Sequence, residues 1–126
     1  MKTTKTVRKA GFTLVEIMIV VAIIGLLAAI AIPNFVRARA TSQANACINN
    51  LRQIDAAENE WALEQGKQTG AAAPSLTTDL TPYIKLNSNS AIPGCPAGGT
   101  YTTFVVGATP QVSCSLSTLD PPHKLP

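Results

Sequence analysis

The chain has 126 residues, room for one domain, with 46% apolar and 13% charged residues. Its formal charge of +3 is misleading, because Lys2, Lys5, Arg8 and Lys9 all precede a long apolar run. Without residues 1–11, six Lys/Arg stand against seven Asp/Glu, so the basic balance is a membrane-topology signal and not a nucleic-acid footprint.

Residues 1–11 are polar and basic without periodicity and read as a processing segment. From Phe12 to Ile32 only Thr13, Glu16 and Gly25 fall outside the aliphatic, aromatic, alanine and methionine set. As a helix this run rises roughly 31 Å, the hydrocarbon thickness of a bilayer. Four basic residues before it against Arg37 and Arg39 after it favour the N-terminus in and the C-terminus out. Pro33 follows at once, and local propensity leaves open whether it ends the helix or sits within one that continues.

The pattern beyond Pro33 argues for continuation. Ala40, Ala44, Cys47, Leu51, Ile54, Ala57 and Trp61 recur at helical spacing, while Asn45, Asn49, Arg52, Gln53 and Glu60 fill the other face. The amphipathic segment is placed at 34–65 with Gly66 as C-cap. Together the two segments make one helix of roughly 53 residues and about 80 Å. Residues 66–76 read as a loop, and Thr77 or Thr78 as the cap of a short helix through Asp79, Leu80, Tyr83 and Ile84, with Pro82 opposing a long one. Residues 85–99 read as loop. Thr100–Val106 and Gln111–Leu116 read as antiparallel strands joined by a turn at 107–110, followed by an irregular Pro-rich tail. The head of about 60 residues is too small to fold well without the helix stripe as half of its core.

Three cysteines lie in the part expected to face an oxidising compartment. Cys95 and Cys114 flank the expected hairpin, and a bridge between them would close a loop of about 20 residues worth roughly 3 kcal/mol. Cys47 is either a buried thiol or a substitute for either partner. A metal is not expected, because the cysteines have no tight spacing and His123 sits in the Pro-rich tail. Asp79, Asn87 and Asn89 match no calcium loop and read as turn residues. Trp61 and Tyr101 read as core. With one histidine, no nucleophile elbow and no phosphate-binding glycine loop, no catalytic set and no cofactor are expected.

The run Lys9-Ala10-Gly11-Phe12-Thr13-Leu14-Val15-Glu16, followed by Ile17–Ile32 and Pro33, resembles the N-terminal signature of type IV pilins and type II secretion pseudopilins. Cys47–Ile54 and Cys95–Tyr101 are more loosely similar to segments of short pseudopilin-like proteins. The resemblance implies an α+β, type IV pilin-like fold: one long N-terminal helix, apolar then amphipathic, packed against a small antiparallel hairpin head. It implies a leader at 1–11, a transmembrane and filament-core helix at 12–33, and a periplasmic remainder at 34–126. A prepilin peptidase and N-methyltransferase is expected to cut between Gly11 and Phe12 and to methylate Phe12. Glu16 is expected to pair with the Phe12 amine of a neighbouring subunit, an intrachain pair with its own Phe12 amine or an interfacial acid with no partner being the alternatives. The implied protein is a pseudopilin, single-pass in a bacterial inner membrane and then in a homo-oligomeric helical filament. Its expected partners are the inner-membrane assembly machinery and minor pseudopilins. A small type IV pilin, or a periplasmic binding module cleaved after Ala31, is the alternative.

Overall fold

The computed structural model describes residues 10–126. The order is helix α1 (Leu14–Glu64), a 3₁₀ turn (Thr81–Tyr83), strand β1 (Tyr101–Thr103) and strand β2 (Val112–Cys114). This is the expected α+β arrangement of one long N-terminal helix and a small antiparallel sheet. By contacts the chain divides into a first unit ending at Arg37 and a second from Ala38 to Pro126.

The first unit contributes the apolar half of α1, which holds an 18-residue window of mean hydropathy 2.9. Every large apolar side chain from Phe12 to Val36 is half or more exposed. Pro33 lies inside the helix, although a proline there costs about 3 kcal/mol relative to alanine. Good helix formers at 26–29 before it and at 37–40 after it help carry the helix through.

Within the second unit, the stripe predicted from periodicity is the buried one. Ala44, Cys47, Leu51, Ile54 and Ala57 are buried, with Trp61 packed at the margin of the core. Asn45, Asn49, Arg52, Gln53 and Glu60 are exposed. Leu80, Ile84, Cys95, Val112 and Cys114 supply the other side of the core. The helix ends in a Schellman cap: the Lys67 N–H donates to Ala62 O at 2.8 Å and the Gly66 N–H to Leu63 O at 3.3 Å. Gly66 has φ +61°, a left-handed conformation that favours glycine.

The loop after the helix is tied down locally. The Ser75 N–H donates to Asp79 Oδ2 at 2.7 Å, and Asn87 Oδ1 accepts from the N–H groups of Asn89 and Ala91. These are turn contacts, as expected for Asp79 and Asn87. The short helix shrinks to a 3₁₀ turn with Pro82 near its start, and the Tyr83 hydroxyl donates to the Glu64 carboxylate at the end of α1. The strands are shorter than their β-branched runs suggested. Their antiparallel register pairs Tyr101 with Cys114, Thr102 with Ser113 and Thr103 with Val112. The Phe104 N–H still donates to Gln111 O at 2.7 Å, and beyond it the partner changes: Val106 exchanges hydrogen bonds with Gly70 and Ala71 of the loop instead.

Candidate functional site

Two places carry chemistry: the start of α1 and a cluster in the head core. At the start of α1 the backbone N–H of Thr13 donates to Glu16 Oε2 at 2.7 Å, and the Thr13 hydroxyl donates to the same oxygen at 3.0 Å. The Glu16 N–H donates back to Thr13 Oγ1 at 3.2 Å. Thr13 and Glu16 thus form a reciprocal capping box, which satisfies two amide groups that a helix start leaves open. The Thr-x-x-Glu spacing was present in the sequence. Gly11, Phe12 and Glu16 are all exposed, and no group stands within 4 Å of a Cβ placed on Gly11.

In the head the structure gathers residues that the sequence keeps far apart. Cys47 comes from the buried stripe of α1, Cys95 from the loop before β1, Cys114 from the end of β2 and His123 from the tail. All four are buried, and their ligand atoms lie within 4.8 Å of one another. The three cysteines are free thiols, and His123 Nδ1 lies 3.3 Å from Cys95 Sγ. The expectation of no metal rested on sequence spacing. That ground fails, because the packing of helix, loop, strand and tail supplies the proximity instead. Cys95 and Cys114, the pair expected to bridge, are free thiols here.

The surroundings of the thiols differ. Burial pushes the Cys47 thiol up to about 12, against a hydrogen bond from the Tyr101 hydroxyl and together with the neighbouring Cys95 and Cys114. Burial acts in the same sense on Cys95, but hydrogen bonds from the backbone N–H groups of Ala97 and Gly99 and the contacts with Cys47 and Cys114 outweigh it, so its net direction is down. The Cys95 loop is held to α1 by Gln43, which donates to Pro96 O, and by Asn50, which donates to Gly94 O at 3.1 Å and to the Tyr101 hydroxyl at 3.2 Å. A further acid sits on the same helix. Glu58 is fully buried with neither carboxylate oxygen hydrogen-bonded, and burial, with Asp55 nearby, raises it to about 7.

The prokaryotic N-terminal methylation motif matches residues 7–32, the leader end and the exposed apolar part of α1. The type II secretion system core protein G of Klebsiella pneumoniae is 29% identical over 113 residues, covering 83% of this chain and 81% of that protein. The type IV major fimbrial protein FimA of Dichelobacter nodosus is 36% identical over 105 residues, 80% of this chain and 66% of its own length. The chain belongs to the type IV pilin and pseudopilin family. The type IV major pilin protein PilA of Myxococcus xanthus is 46% identical over 65 residues, but the match spans 52% of this chain and 30% of that pilin. No solved structure matches the chain significantly. Family members of this kind are structural proteins and not enzymes. The pilin motif accounts for the start of α1, and it says nothing of the cysteine and histidine cluster.

Proposed function

We propose that this chain is a structural subunit of a pilus-like filament, a pseudopilin of a type II secretion-like system, assembled through the apolar half of α1. One observation carries the reading. The methylation motif coincides with a helix segment whose large apolar side chains are all half or more exposed and whose one acid is Glu16. So large an apolar surface needs a bilayer or copies of itself. The pseudopilin is preferred to a pilin because the Klebsiella core protein G matches this chain over four fifths of both lengths.

In this reading residues 1–11 are the leader, 12–33 the span and filament core, and 34–126 the part outside the inner membrane. A prepilin peptidase cuts after Gly11 and methylates Phe12. A glycine there leaves the backbone open to a narrow cleft, consistent with the empty space around Gly11. The subunit waits in the inner membrane with its N-terminus cytoplasmic, then enters a periplasmic or surface filament with the help of the assembly machinery and minor pseudopilins. Gly25, with open space at its Cβ position, and Ala22, Ala28, Ala29 and Ala31 allow helices to approach closely.

The capping box refines the role of Glu16. Both Thr13 bonds converge on Oε2, which leaves Oε1 to accept from the Phe12 amine of a neighbouring subunit. Thr13 fixes the carboxylate in place, and the amine reads its position. An unpaired charge buried in a filament core costs about 3–5 kcal/mol, so the pair sets the register between subunits. Glu16→Ala is expected to leave the protein in the membrane and to abolish or misregister filaments. Normal filaments from that variant would refute the pairing.

The test of the whole reading is N-terminal mass spectrometry of the mature protein. N-methyl-Phe12 is expected. A mature chain beginning at Ile32 would overturn the filament reading in favour of a secreted module.

A further inference from the structure

We propose that Cys47, Cys95, Cys114 and His123 form a structural zinc site that ties the head to α1. The geometry suits a closed tetrahedral site. With Zn–S near 2.3 Å and Zn–N near 2.0–2.1 Å, the edges of a Cys₃His tetrahedron run about 3.5–3.8 Å. Four ligand atoms mutually within 4.8 Å need only small shifts to reach it. Three sulfurs and one imidazole make a soft donor set of the kind zinc takes in structural sites.

Three features of the surroundings separate a metal from a Cys95–Cys114 disulfide. First, the tail turns back to bury His123 to 3% exposure, with its Nδ1 beside Cys95 Sγ. A disulfide has no use for that ring. Second, the turn after Cys95 is closed by the Gly98 N–H on Cys95 O at 2.9 Å, with Gly98 at φ +85°, and Gln43 and Asn50 tie this loop to α1, which holds Cys95 close to Cys47 of the helix as well as to Cys114. Third, Asn50 of α1 donates to the Tyr101 hydroxyl, and Tyr101 packs against the core that holds the three cysteines, so helix and strand are tied together beside the cluster. Gly99 completes the cradle, since a Cβ there would stand 2.6 Å from Cys114 Sγ.

The chemistry also resolves the odd cysteine. One bridge would leave a buried thiol in an oxidising compartment, whereas the metal engages all three. Binding of Zn²⁺ to three thiols and a neutral imidazole forms three Zn–S bonds and one Zn–N bond and releases three protons, with no change of oxidation state. The four ligands come from α1, the loop, β2 and the tail, so the ion closes a head whose sheet has two three-residue strands. Small domains of this size commonly rely on such a staple.

The test uses the full mature chain, extracted from membranes in detergent without chelator or reductant. Elemental analysis is expected to find about one zinc per chain, the stoichiometry of a closed four-ligand site. Denaturation in chelator should release it and expose all three cysteines to alkylation. His123→Ala is expected to lose stoichiometric zinc, and His123→Cys, a Cys₄ set, to keep it. Cobalt exchanged into the wild-type chain should show tetrahedral ligand-field bands and thiolate charge transfer, a readout independent of whether any variant folds. A Cys95–Cys114 disulfide in the mature chain, three thiols without metal, or zinc retained at the wild-type level by His123→Ala would each overturn the proposal. None of these outcomes bears on the N-methyl-Phe12 test, so the two readings fail separately.

Discussion

Glu58 offers a sharp test of the head's packing. It is an acid on the buried stripe of α1, fully buried, with both carboxylate oxygens lacking a hydrogen bond. Burial, with Asp55 adding like charge, raises it from an ordinary 4.5 to about 7. A carboxyl raised on folding is protonated in both states below about pH 4.5 and imposes no charge penalty there. Between about pH 4.5 and 7 the unfolded chain ionises first, and stability falls as pH rises. Above about pH 7 the loss is complete. At 1.36 kcal/mol per pH unit the shift corresponds to at most about 3 kcal/mol. Glu58→Gln keeps the shape and removes the titration, but its amide still lacks partners at a cost of about 1–3 kcal/mol. The variant should therefore gain on the wild type by about 2.5 kcal/mol between pH 5 and pH 8, whatever its absolute stability. Denaturant unfolding of the full chain in detergent, followed by Trp61 fluorescence at a series of pH values, reads this difference. Titration of other groups is common to both proteins and cancels in it. Parallel pH profiles for the two proteins would show that Glu58 is ionised and solvated in the folded head.

Three further outcomes follow from particular contacts. Leu51 is fully buried at the centre of the stripe, so Leu51→Ala should cost the head about 2–5 kcal/mol in the same denaturant assay. Gly99→Ala would place a Cβ 2.6 Å from Cys114 Sγ and should destabilise the head by about 1–3 kcal/mol, measured as a lowered midpoint. An unchanged midpoint there would mean that Cys114 moves aside freely. Thr13→Ala removes one side of the capping box and should weaken the helix start by about 1 kcal/mol, seen as faster amide exchange at residues 14–17 in micelles.

The legibility of this chain in its sequence followed the range of the interactions. The stripe Cys47, Leu51, Ile54 and Ala57 was readable because helical periodicity is local, and so was Gly66 as a cap. The capping box at Thr13 and Glu16 is equally local, but an acid in an apolar run reads first as a group in need of a distant partner. Glu58 follows Ile54 by one helical turn on the buried face, yet its charge disguises it as a surface residue. The shortness of the strands depended on Val106 turning to pair with Gly70 and Ala71, a choice made between segments far apart in sequence. The gathering of Cys47, Cys95, Cys114 and His123 is wholly tertiary. No spacing rule encodes it, because each ligand arrives on a different element.

Pro33 has a mechanical consequence. α1 runs through both compact units, whose boundary falls at Arg37 and Ala38. Proline brings no N–H to the Ala29 carbonyl, so one rung of the helix is missing there. When tension is applied along the axis, a helix yields first where it has fewest rungs to break. Extension would begin around Pro33, and the turns bearing Leu51 and Ile54 would be spared until that slack was taken up. Under such a load the proline would act as a fuse ahead of the head in the chain.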